Sequence, residues 1–214
     1  VSFREDAMIT RRKLMTRAAG TLAAGAMMPG VLRAAGGADG LELGDDGLHK
    51  QPWFMDSFLE LGDDLQTAAD SGRGLMVLWE QRGCPYCREL HAVNFARPEI
   101  SDYIQEHFDV VQLDMFGSRE VLDFDGEALE ERALAGKWFV NFTPTTQLFH
   151  RDNAGATGLS AAESFRMPGY LKPFHYLSSL EFVAEGHYET QRFQRYLQDK
   201  FAKLREQGID PDVW

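Results

Sequence analysis

Cysteine is scarce in this 214-residue chain: there are two, Cys84 and Cys87, and none elsewhere. That count excludes a scaffold held by several disulfides, and it excludes a zinc site built on two cysteine pairs. Basic residues are also in short supply, 22 against 33 acidic, for a formal net charge of −11. Residues 1–35 hold six of the basic residues and two of the acidic ones, so the rest carries 16 against 31, a balance of −15. A surface this acidic repels nucleic acid and anionic lipid, and neither is expected as a partner. No apolar run is long enough for a membrane-spanning helix; the mildly apolar stretch from Ala18 to Val31 is short and rich in glycine and alanine. There is no internal repeat. The acidic stretch Asp123-Phe124-Asp125-Gly126-Glu127, with Glu130 and Glu131 behind it, lacks the ligand alternation of a calcium loop. Acids there suit the start of a helix.

What the chain does have is the placement of its two cysteines, Gly83-Cys84-Pro85-Tyr86-Cys87. The apolar run Leu75-Met76-Val77-Leu78-Trp79 before them reads as a buried strand, and Arg88-Glu89-Leu90-His91-Ala92-Val93 after them as a helix start. A C-x-x-C pair at a helix N-terminus suits thiol–disulfide exchange, because free N–H groups and the helix dipole favour the thiolate that performs it. Cys84 is predicted as N-cap and nucleophile, and Pro85 as first helical residue, where a missing N–H costs nothing. Arg82 and Arg88 add positive charge nearby. Cys87, one turn further in, is predicted to resolve the mixed disulfide. A structural staple is disfavoured, since a bridge over two residues constrains almost no chain. Zinc is the other alternative: Cys84, Cys87 and His91 form C-x2-C-x3-H, but a closed site needs a fourth ligand. His49, His107, His150, His175 and His187 stand singly. No metal and no cofactor beyond a redox-active Cys84–Cys87 disulfide are expected.

The amino end reads as an address. Thr10-Arg11-Arg12-Lys13-Leu14-Met15 is a twin-arginine pattern, followed by the small-residue stretch and then Arg33-Ala34-Ala35. This is the layout of an export signal over 1–35, with cleavage expected near Ala34 or Ala35. The alternative is a basic tail without structure. A glycine-rich linker over 36–51 and one domain over 52–214 are expected to follow, in an oxidising compartment outside the cytoplasm.

Within that domain, Phe54, Phe58, Leu61 and Leu65 have helical spacing, ended by Asp70-Ser71-Gly72. After the C-x-x-C helix, Arg97-Pro98 marks a break, and a short helix runs to about Phe108. Val110 to Met115 is a strand, 116–126 a loop, and 127–139 a helix with Leu129, Ala133, Leu134 and Trp138 on one side. Thr145 to Phe149 is a strand led by Pro144, which a strand tolerates at its first residue. A second strand lies around Glu163 to Met167. Phe174, Leu177 and Leu180 begin a helix ended by Gly186, and Phe193, Leu197, Phe201 and Leu204 mark a last one.

This order resembles the thioredoxin fold: an α/β domain with a central mixed sheet flanked by helices. It adds an N-terminal helix, an insertion after the second strand and an extra C-terminal helix. The resemblance rests on Cys84-Pro85-Tyr86-Cys87 and on Thr143-Pro144 in the place of that family's cis-proline loop, and it covers about residues 52–186. More narrowly, Glu80 through His91, Phe142-Thr143-Pro144-Thr145, and Arg166 through Tyr170 are similar to SoxW-type thioredoxin-related proteins, exported thiol–disulfide oxidoreductases linked to bacterial sulfur oxidation. The resemblance implies a cis Pro144, disulfide-bearing exported proteins as substrates, which would pair along Thr143, and a membrane thiol carrier as electron donor. Pro85-Tyr86 matches glutaredoxins, so a glutathione-dependent enzyme is one alternative; a metal-binding carrier is another. In thioredoxins a buried aspartate helps move the second proton. The matching position here is Leu78, and Glu80 is the nearest carboxylate of the same strand parity. Two placements stay open for Glu80: buried near Cys87, where it could take that proton, or at the strand end in solvent.

Overall fold

The computed structural model describes residues 41–209. The export signal read over 1–35 and the first five residues of the expected linker lie outside them. In chain order, a hairpin of β1 (Glu42–Leu43) and β2 (His49–Lys50) leads to α1 (Leu61–Asp70) and β3 (Gly74–Glu80). Helix α2 (Pro85–Glu89) runs into one π turn (Leu90–Asn94), followed by α3 (Pro98–His107) and β4 (Phe108–Asp114). A second hairpin, β5 (Glu120–Leu122) and β6 (Ala128–Glu130), precedes α4 (Glu131–Lys137). Then come β7 (Thr145–Phe149), a short α5 (Leu159–Ala162), β8 (Phe165–Pro168), α6 (Pro173–Ala184) and α7 (Phe193–Glu206).

Four strands form the main sheet in the order β4-β3-β7-β8. β3 and β4 are parallel, while β7 runs antiparallel to β3 and β8 antiparallel to β7. Every residue of β3 is buried, because helices cover both faces of the sheet. Its side chains alternate between two apolar clusters. Leu75, Val77 and Trp79 join Leu61 and Leu65 of α1 with Leu134 and Trp138 at α4. Met76 and Leu78 join Leu90 of the π turn, Ile100 and Ile104 of α3, and Tyr176 and Leu180 of α6. The parity continues to the strand's last residue, so Glu80 points to the side of Met76 and Leu78, under the helix that carries the cysteines. The thioredoxin fold expected from the sequence is the fold observed, with its extra helices at both ends.

Three local expectations need correction. The first helix starts at Leu61; Phe54 and Phe58 lie outside it, and Phe58 is exposed. Leu59 adopts a left-handed φ of 63°, which ends any helical continuity from Phe54. Residues 128–130, read as helix, form strand β6 and pair with β5 inside the stretch read as loop. Tertiary bonds decide this: Lys137 Nζ reaches Asp123 at 2.7 Å, Asp125 at 2.5 Å and Glu127 at 2.9 Å, and so fastens the turn back onto α4. The described part of the expected linker carries the β1–β2 hairpin, with Leu48 buried to 1% exposure.

Candidate functional site

The site forms where β3 ends. Gly83 takes a left-handed φ of 71°, open to glycine at no steric cost, and turns the chain into the helix. Cys84 follows as N-cap in an extended conformation, with Pro85 at the first helical position. Its sulfur accepts the Cys87 N–H at 3.1 Å. A bond of this kind stabilises negative charge on sulfur, as does the dipole of the helical run from Pro85 to Asn94. Cys84 and Cys87 are joined as a disulfide, with Cα atoms 5.2 Å apart. Cys84 keeps 6% of its surface exposed and Cys87 1%, so an approaching partner meets Cys84 first.

Across the site, the Thr143–Pro144 peptide bond is cis. The Thr143 carbonyl oxygen lies 3.5 Å and its hydroxyl 3.4 Å from the Cys84 sulfur. Pro144 leads β7, and its own carbonyl accepts the Gly169 N–H at 2.8 Å. Tyr86, 62% exposed, stacks on Tyr170 at 6.4 Å. The Tyr170 hydroxyl donates to Asn94 Oδ1 at 3.0 Å, and Asn94 Nδ2 to the Leu171 carbonyl at 2.9 Å. The segment after β8 is thereby fixed beside the cysteine helix. Phe142, next to Thr143, and Phe116, just past the end of β4, are exposed as well.

Behind the disulfide, Glu80 is fully buried. Of its two open placements, burial is the one observed. Its carboxylate accepts from His91 Nε2 at 3.1 and 3.3 Å and closely from Gln112 Nε2. A buried charge needs such partners. Gln112 also donates to the His49 carbonyl at 2.7 Å and accepts from Lys50 Nζ at 2.6 Å; Lys50 pairs with Asp46 at 2.6 Å. Gln51 Nε2 donates to His91 Nδ1 at 3.1 Å. Arg82 donates to the Asp46 carbonyl at 2.9 and 3.1 Å, which ties the β1–β2 turn to the strand–helix junction.

Cys84, Cys87, Pro85, Tyr86, Thr143 and Pro144 thus meet at one end of the two central strands, β3 and β7, with Glu80 beneath them. His91, weighed from sequence only as a zinc ligand, has both ring nitrogens engaged elsewhere, and among the described residues no group of three or more His, Cys, Asp or Glu is placed to hold a metal. Sequence reasoning missed Gln112, Lys50 and Gln51. Gln112 carried a signal, because a polar residue inside the apolar run 110–115 needs a buried partner. Lys50 and Gln51, in a stretch read as linker, carried none.

Comparison with curated proteins gives no match. Among solved structures, a thioredoxin-fold protein from Helicobacter pylori is 21% identical with a TM-score of 0.47, over 66% of this chain and 90% of that one. A thioredoxin from Thermus thermophilus is 23% identical with a TM-score of 0.45, over 58% and 83%. The oxidised C-terminal domain of DsbD from Neisseria meningitidis is 16% identical with a TM-score of 0.40, over 57% and 92%. The thioredoxin-like domain family matches residues 61–184, which include both cysteines and the cis-proline, and its membership together with the C-x-x-C disulfide supports thiol–disulfide oxidoreductase chemistry at the general level. The chain belongs to the thioredoxin-like domain family.

Proposed function

We propose that this protein is an exported thiol–disulfide oxidoreductase that reduces disulfides of periplasmic partner proteins through its Cys84–Cys87 dithiol. The observation that carries the reading is the position of the Cys84 sulfur. It caps a helix, accepts a backbone N–H, and lies against Thr143 at a cis-proline. In the reduced protein the Cys84 thiolate attacks one sulfur of a partner disulfide. The partner's S–S bond breaks, one partner sulfur leaves and takes a proton, and a mixed disulfide forms. Cys87 then loses its proton, attacks the Cys84 sulfur and releases the second partner thiol. The partner gains two electrons and two protons, and the protein is left with the Cys84–Cys87 disulfide. We assign the proton of Cys87 to Glu80, the carboxylate buried on that side of β3.

A partner peptide fits along Thr143, whose amide and carbonyl precede a proline that has no N–H to offer; the exposed rings of Tyr86, Phe116 and Phe142 suit an apolar segment. Return to the dithiol needs an electron donor, for which a membrane thiol carrier is our proposal. The twin-arginine pattern supports export, and similarity of the motif stretches to SoxW-type proteins supports a place in sulfur oxidation. Among the described residues no helix is long and apolar enough to cross a membrane. The test is Cys87→Ser, which leaves Cys84 unable to release its partner. Cell extracts treated with this variant should yield disulfide-linked partners released by dithiothreitol. Failure to trap any, together with no turnover of insulin disulfides by the wild type, contradicts the proposal.

A further inference from the structure

His91 lies one helical turn beyond Cys87, and both are buried. Its ring links two parts of the molecule. Nε2 meets the Glu80 carboxylate, and Nδ1 meets the side-chain amide of Gln51, in the strap of residues 49–51 made by β2 and the residue after it. The amide nitrogen of Gln51 can only donate, so Nδ1 accepts and Nε2 carries the hydrogen that points at Glu80. On the other side of the same carboxylate, Gln112 connects to Lys50 and onward to Asp46. Two clefts flank the strap. One, of about 280 Å³, is lined by Lys50, Gln51, Gln112 and Arg119; the other, of about 260 Å³, by Lys50, Gln51 and His91. The second cleft touches the His91 ring, and the first touches Gln112, the amide partner of Glu80; neither is lined by a cysteine.

We propose that residues 49–51, which precede the family-matched region, belong to the redox machinery. Gln51 holds His91 in the tautomer that donates to Glu80, and the Glu80–His91 pair takes the Cys87 proton and passes it to solvent beside Gln112 and Lys50. The inference rests on the exchange reading above and adds positioning residues to it. The titratable and charged groups around the pair are His49, whose ring lies 5.4 Å from that of His91, Tyr176 from α6, which acts on Glu80, Lys50 with Asp46 and Arg119, which reach Gln112, and Arg88, which acts on His49. Burial holds His49 below the ordinary histidine value, so it adds little positive charge at neutral pH. Loss of a donor to a carboxylate disfavours its ionised form. The step that needs Glu80 as base therefore moves to higher pH when His91 or Gln51 is changed.

The experiment separates the two chemical steps. Reduced protein is mixed with a fluorescent peptide disulfide, quenched in acid at intervals across a pH series, and the Cys84 mixed disulfide is followed by mass spectrometry. In Gln51→Leu and His91→Leu the mixed disulfide should form at the wild-type rate. Its resolution should slow by roughly tenfold to a hundredfold, with the pH profile displaced upward. His91→Gln, which keeps a donor for Glu80, should recover most of the loss. In the wild type, ¹⁵N spectra should show His91 protonated at Nε2. Gln51→Leu alters a half-buried strap residue, so it remains informative if the His91 variants do not fold. Unchanged resolution and pH profile in Gln51→Leu, or an Nδ1–H tautomer, overturns the inference. Failure of the wild type to form any mixed disulfide at Cys84 instead overturns the exchange reading itself.

Discussion

Among the described residues, four carboxylates lose nearly all contact with water, and each handles that cost differently. Glu80 accepts from a histidine and an amide. Asp123 accepts from Trp138 Nε1 at 3.2 Å and pairs with Lys137. Glu131 accepts the backbone N–H of Asp114 at 2.8 Å and of Arg119 at 3.2 Å, and pairs with the Arg119 guanidinium at 2.5 Å. Asp64 has one side-chain donor, the Ser57 hydroxyl at 2.6 Å. Burial, reinforced by Asp63, Glu60 and Asp109, pushes its carboxyl above the ordinary value of 3.8, and Ser57 offsets part of the rise. A folded-state pKa that is raised contributes stability below the unfolded value and loses it as pH climbs through the folded one. Asp64 therefore opposes folding at neutral pH. Asp64→Asn, which still accepts from Ser57, should stabilise the protein by on the order of 1 kcal/mol at pH 7, and the gain should vanish in acid. Urea melts at the two pH values check this.

The same carboxylate chemistry organises whole elements. Glu131 opens α4, and its bonds hold residues 114–119, the turn that presents Phe116 beside the site. Gly117 is the residue that lets it approach, since a Cβ there would overlap the carboxylate. Glu131→Ala leaves those donors without a partner and should cost about 3 kcal/mol, read as a lower urea midpoint. Elements of this kind explain where the sequence could be read. Strand β3, the cysteine helix and the Pro144-led strand announce themselves, because local rules govern them: an unbroken buried run, an N-cap with proline after it, a proline at a strand start. The β5–β6 hairpin does not, because Leu129, Ala133 and Leu134 have helical spacing and only the pairing with Glu120–Leu122 overrides it. The π turn at Leu90–Asn94, which carries His91, has no sequence rule behind it. Nor could the strap residues Lys50 and Gln51 be found, since their partners are 62 and 40 residues away.

At the scale of the whole molecule, protonation couples stability to pH through its histidines. Burial holds His49, His150 and His175 below the ordinary value of 6.5. A depressed histidine contributes stability above its unfolded pKa and loses it as pH falls, because the unfolded chain takes up the proton first. Unfolding free energy should decline between pH 7 and about 5.5, and replacing buried His150 with Gln should flatten that decline. Denaturant titrations over the interval read both results. The chain's acidity acts at long range: a domain of this charge attracts cationic proteins more readily at low ionic strength, so thiol–disulfide exchange with a basic test protein should slow as salt is raised.

Exchange chemistry at this site depends on the Cys84 sulfur being ionised by the helix it caps. The most direct measurement is the pH dependence of iodoacetamide alkylation in Cys87→Ser, where Cys84 is the only thiol. Half-maximal reactivity is expected well below the ordinary cysteine value of about 8.5. A midpoint at or above that value contradicts this ionisation.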